Sequence, residues 1–179
     1  MIKVKALVIL AEDFEDIEAF TVIDVLHRAG IEVTKAGIGS KIVTSAHGVK
    51  VMIDKTLSDV DNNTFDMLVL PGGPGYRNLL NSNAVIALIK EFNKQKKIIG
   101  AICAAPVVLA AAGVLDDKIA CVYPGLESKI PKVRDAKVIA SGNIVTSKCP
   151  GTSIEFALML VERAIGKKES LKIREQIIA

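Results

Sequence analysis

KALVILAEDFEDIEAFTVIDVLHRAGIEVTKAGI, residues 5–38, is the stretch whose reading decides the fold. After Lys5 its first strand is apolar without alternation, the mark of a strand covered on both faces. EDIEAFTVIDVLHRAG (15–30) carries apolar residues at helical spacing and closes on Gly30, a common helix stop. IEVTKAGI (31–38) then reads as a second strand. Strand, helix and strand joined by short turns make a βαβ unit, whose two strands run parallel.

The alternation continues outward. FDMLVL (65–70), KKIIGAI (96–102), KIACVY (118–123), AKVIA (136–140) and NIVTS (143–147) read as further strands. Helices are expected from about Ser82 to Lys94, from Ala104 to Ala112, from Thr152 to Ile165 and from Lys168 onward. Residues 41–57, turning near His47 and Gly48, read as a hairpin or a short extended pair. The pattern predicts an α/β fold, a mostly parallel central sheet with helices on both faces, built as a single domain over residues 1–179.

Composition excludes several function classes. Half the residues are hydrophobic, yet a charge or glycine breaks every apolar run, well before the ~18–20 residues a membrane span requires. The start, MIKVKALVIL, passes straight into Glu12 and Asp13 without the cleavage site of a secretory signal. Cys103, Cys121 and Cys149 are odd in number and spaced by 18 and 28 residues, which suits neither a disulfide framework nor a zinc motif. A reducing, cytoplasmic setting is expected. The net charge of +3 comes from lysines scattered among carboxylates, and there is no Trp, so no nucleic-acid-binding patch is visible.

Open parallel sheets bind ligands outside the carboxyl ends of their strands. Three loops there are chemically unusual: AEDFED (11–16), PGGPGYRN (71–78) and GAICAAP (100–106). Cys103 follows its strand without a loop and precedes a helix, so it belongs on an abrupt, strained turn. Small neighbours make room for the bend, and a helix N-terminus beside the sulfur would lower the thiol pKa. A plain buried cysteine is the open alternative. Gly72 and Gly73 can form a nest of N–H groups which, with the amide of Ala104, would hold an oxyanion; a turn with no catalytic part is the competing reading. Glu18 falls in register with Val22, Val25 and Ala29, the apolar stripe of the first helix. Burial raises a carboxyl pKa, so Glu18 is a candidate protonated partner for a thiolate, unless it serves only the helix dipole as Glu15 and Asp16 do.

LVILAEDFEDIEA, LVLPGG, GAICAAP and SKCPGTSIEFAL, in this order over nearly the whole chain, resemble the DJ-1/PfpI superfamily and most closely its DJ-1/YajL branch. The resemblance implies a flavodoxin-like sandwich, a homodimer and chemistry without cofactor or metal. It maps the reactive cysteine to Cys103, its protonated glutamate to Glu18 and the oxyanion glycines to Gly72 and Gly73. It also implies a glyoxalase or deglycase acting on methylglyoxal-like 2-oxoaldehydes or glycated adducts, or else an oxidative-stress sensor or chaperone whose Cys103 becomes a sulfinate. A cysteine peptidase or amidohydrolase reading is weakened because Tyr123 stands where many relatives place a histidine. His47 occupies the position of an arginine that reaches across the dimer toward the site, and Arg28 matches a second interface arginine. Cys121, in an apolar run, reads as core. Cys149, before Pro150, reads as a loop cysteine, redox-active only if that loop borders the site.

Overall fold

The computed structural model describes residues 3–179. Seven strands form the central sheet: β1 (Lys5–Leu10), β2 (Glu32–Gly37), β5 (Lys55–Thr56), β6 (Met67–Leu70), β7 (Ile98–Ile102), β8 (Val138–Ser141) and β9 (Ile144–Ser147). Their order is β5-β2-β1-β6-β7-β9-β8, all neighbours parallel except the antiparallel β8 and β9. The remaining strands, β3 (Ile42–Thr44) and β4 (Lys50–Met52), pair as a separate antiparallel hairpin.

Strands β1, β6 and β7 lie in the interior of the sheet and are buried on both faces, as their unbroken apolar runs require. One face is covered by α1 (Asp16–Arg28), α5 (Ser153–Ile165) and α6 (Lys167–Gln176), with Val22, Leu26, Phe156 and Leu160 fully buried against the sheet. The other is covered by α2 (Tyr76–Leu80), α3 (Asn83–Lys94) and α4 (Pro106–Ala111), through Leu79, Ile89, Phe92 and Leu109. The α/β sandwich expected from the sequence is the fold observed.

Three local expectations are corrected and one is borne out. Residues 118–123 are not a strand of the sheet: β9 already has β7 on one side and β8 on the other, and the segment's one ladder contact is an isolated bridge from Ala120 to Val133. Their amides instead find Lys132 O, Thr146 Oγ1 and Cys103 O. The hairpin expected over 41–57, turning near His47 and Gly48, is present as β3–β4, and the end of that segment, β5, joins the main sheet beside β2. A five-residue helix, α2, stands where only glycine- and proline-rich loop was expected. The helix after Cys103 begins at Pro106 rather than Ala104 and has six residues.

The chain enters β2 on one side of β1 and returns through β6 on the other, so the strand order reverses at β1. Loops 11–15 and 71–75 meet at this switch point, and Cys103 leaves the neighbouring β7 beside them.

Candidate active site

Cys103 follows β7 directly and adopts φ +64°, the left-handed region that a side chain enters only under constraint. Both of its peptide groups are fixed: its N–H donates to Ser147 O at 2.9 Å and its carbonyl accepts from Tyr123 N–H at 2.8 Å. The strained turn expected from GAICAAP is therefore present, and the sulfur-bearing residue is 6 % exposed.

Glu18 points inward from the first turn of α1 and is fully buried. Its Oε2 accepts the amide of Gly72 at 2.7 Å, while its buried Oε1 has no hydrogen-bond donor. Burial raises its pKa from 4.5 to about 7, against the stabilising Gly72 amide and the adjacent Cys103 thiol. An oxygen without a donor is the natural seat of the proton, and a proton placed there can be donated in turn.

The expectation of a depressed Cys103 pKa is corrected. Burial pushes the thiol up, and the negative charge of an ionised Glu18 pushes it further; the amides of Gly73 and Ala104, which face the sulfur, work the other way. The six residues of α4 supply little dipole against this burial. With its proton in place, Glu18 removes the repulsion and becomes a donor to sulfur. The two groups thus act as a pair that shares ionisation.

Gly72 also has a different part from the one expected. Its N–H is committed to Glu18, so the donors left for an oxyanion are the amides of Gly73 and Ala104. A Cβ on Gly72 would lie 2.8 Å from Ile102 O and 2.9 Å from Cys103 Cβ, so only glycine lets the two loops approach this closely. Gly73 holds φ +79° and would likewise press a Cβ onto the Glu15 amide.

The sulfur opens on a cavity of ≈ 480 Å³ whose walls include Glu15, Tyr76, Arg77, Tyr123, Leu126 and Pro150. Tyr123 does face the site, carried there by the 118–123 segment. Tyr76 and Arg77 were not singled out from sequence; the only signal was their place directly after PGGPG.

The other predicted residues lie elsewhere. His47 has a partner within its own chain: its Nδ1 is 2.7 Å from Asp16 Oδ2 and 4.0 Å from Glu15 Oε1, and the Asp16 hydrogen bond raises its pKa. Glu15, Asp16 and His47 each offer a ligand atom within 4.8 Å of the others, the grouping among the described residues best suited to a metal ion; the contacts observed are those of a histidine ion-paired to a helix N-terminus. Arg28 pairs with Asp24 at 2.8 Å at the far end of α1. Cys121 is buried, as expected of core, with its sulfur 3.6 Å from Thr146 Oγ1. Cys149 caps the turn at Pro150–Thr152, and Pro150 rather than the cysteine reaches the cavity wall.

An open parallel sheet with a strained cysteine at a strand end and a buried glutamate beside it defines a cysteine-centred α/β protein of the flavodoxin-like kind. The DJ-1/PfpI family model matches residues 4–163, and the chain belongs to that family. It is 39% identical over 169 residues to the glutathione-independent glyoxalase DJR-1.2 of Caenorhabditis elegans, covering 92% of this chain and 91% of that protein. With the protein dj-1beta of Drosophila melanogaster it shares 37% identity, covering 97% and 96% of the two chains. The solved structure of oxidized Toxoplasma gondii DJ-1 superposes with a TM-score of 0.94 at 41% identity, over 98% of each chain. Drosophila melanogaster DJ-1beta gives 0.95 at 36% identity over 99% of each.

Proposed function

We propose that the protein converts small 2-oxoaldehydes such as methylglyoxal into hydroxy acids, without a cofactor, using Cys103 as nucleophile and Glu18 as proton carrier. The observation that carries this reading is the donor-less Oε1 of a fully buried Glu18 beside a thiol faced by two amides. Ionised Glu18 takes the thiol proton as the sulfur adds to the aldehyde carbon, and passes it to the carbonyl oxygen, whose developing charge lies within reach of the Gly73 and Ala104 amides. Glu18, in its carboxylate form, removes the proton from the former aldehyde carbon and returns one to the adjacent carbon, leaving a thioester. Water cleaves the C–S bond, releasing the hydroxy acid and restoring the thiol. The relative named as a glutathione-independent glyoxalase supports the reaction class. The same chemistry extends to early glycation adducts, the deglycase form of the reading. Purified protein should form lactate from methylglyoxal; turnover no faster than that of Cys103→Ala would sink the proposal.

A second reading has its own support in the relative solved in an oxidized state. In it peroxide adds two oxygens to Cys103, and protonated Glu18 donates to the resulting sulfinate. Peptide mass spectrometry after graded peroxide decides it: modification of Cys121 or Cys149 ahead of Cys103 would rule out a sensor or stress-linked chaperone role.

The proposal includes a homodimer in a reducing cytoplasm. Three unpaired cysteines suit that compartment. Ile17 and Phe20, 55% and 37% exposed on the helix that carries Glu18, suit an α1-centred interface. Among the described residues no helix is long and apolar enough to cross a membrane. Light scattering at micromolar concentration tests the dimer, with a monomer mass counting against it.

A further inference from the structure

The cavity above Cys103 has two charged side chains in its wall, Glu15 and Arg77, and they are differently committed. Glu15 is only 14% exposed and its carboxylate lies 4.0 Å from the imidazole of His47, which is itself held by Asp16. Arg77 makes no ion pair and no side-chain hydrogen bond among the described residues. Its guanidinium carbon lies 5.7 Å from the centroid of the Tyr76 ring.

The arginine is also held in place. It rides on α2, which is pinned to the loop carrying Glu15 by two bonds: Gly75 N–H donates to Asp13 O at 2.9 Å, and Asn78 Nδ2 donates to Glu12 O at 3.1 Å. A cation stacked on an aromatic ring, on a fastened helix, keeps its planar fork of donors free for a ligand oxygen pair. The sulfur end of the cavity disfavours anions, since a thiolate or an ionised Glu18 sits there. Arg77 on the wall favours them.

We infer that Arg77 makes this cavity select carbonyl compounds bearing an anionic group, a carboxylate or a phosphate ester, held away from the reacting carbon. The inference rests on the proposed carbonyl chemistry at Cys103 and names the substrate class for it.

The test uses two alkylating agents of nearly the same shape, anionic iodoacetate and neutral iodoacetamide. Each forms a C–S bond at Cys103 and releases iodide, so the readout is independent of turnover. Rates are taken from the Cys103 peptide by mass spectrometry. Arg77→Met should lower the iodoacetate-to-iodoacetamide ratio roughly fivefold, the size of a partly exposed ion pair. Arg77→Lys should recover part of it. Added salt should lower the ratio in the wild type and leave Arg77→Met nearly unmoved.

Inorganic phosphate and acetate at matched ionic strength, added as competitors, separate the sources. Stronger protection by phosphate assigns a phosphate ester, and stronger protection by acetate a carboxylate. Protection by neither beyond that of chloride, or a ratio unchanged in Arg77→Met, overturns the inference while leaving the methylglyoxal test standing. Failure of Cys103 to take either reagent overturns this inference and the proposed reaction together.

Discussion

Glu15, Asp16 and Glu18 share one turn of chain at the start of α1, yet they have opposite chemistry. Asp16 stays ionised: burial works against it, but hydrogen bonds, that of the His47 ring among them, hold its pKa below the usual value. Glu18, two residues on, is rotated into the protein, where burial brings its pKa to about 7. Glu15 and Asp16 face the His47 imidazole, and the inward carboxyl of Glu18 is a stored proton. Helical rotation alone converts one residue type into two functions.

The sharpest way to break the inward half is to remove its partner. Cys103→Ala should reduce methylglyoxal turnover by at least about 10³-fold, read as lactate formed. Glu18→Gln keeps the side-chain shape but cannot carry the proton, and should lower kcat by roughly 10²- to 10⁴-fold.

The same variant tests the stored proton without any substrate. A carboxyl with its folded pKa raised from 4.5 to about 7 keeps its proton in the folded chain while the unfolded chain loses it, so stability falls as pH rises through that window. Urea denaturation should show the wild type losing about 3 kcal/mol relative to Glu18→Gln between those limits. Parallel pH curves for the two proteins would mean that Glu18 ionises normally.

Gly72→Ala breaks the floor between the halves. Backbone of the 102–104 turn blocks the added methyl, so the fold must yield by about 3 kcal/mol in denaturant titration, with Cys103 displaced. The smallest effect belongs outside. The raised His47 pKa makes its ion pair stabilising below about 6.5, its ordinary value, with the contribution lost as pH rises through the raised value. His47→Ala should shift the melting temperature slightly in acid and not at all in alkali.

Much of this contrast was legible in the sequence because it is periodic. A carboxylate interrupting the stripe Glu18, Val22, Val25 is a conspicuous cost; the sequence left a helix-dipole role as the alternative, and the full burial of Glu18 decides for the inward one. Strands β1, β6 and β7 were equally plain, since doubly covered strands have no polar face. Residues 118–123 misled because burial rather than membership of the sheet made them apolar: Ala120, Cys121 and Val122 are buried, with one isolated bridge from Ala120 to Val133. Helix α2 was hidden by glycine and proline at its start, which read as turn, and with it went Tyr76 and Arg77. The thiol's direction was missed because it depends on how many helical residues follow Cys103 and how deep the sulfur sits, quantities no local pattern encodes.

The hydrogen bond from Tyr123 N–H to Cys103 O has a consequence for timing. It ties the wall of the cavity to the peptide of the nucleophile, so the segment bearing Tyr123 cannot swing away without releasing the turn that holds the sulfur. Opening to admit a bulky ligand and relaxation of the reactive conformation are then one event. In deuterium-labelling experiments the Tyr123 amide would report it, exchanging only as often as the active geometry is lost.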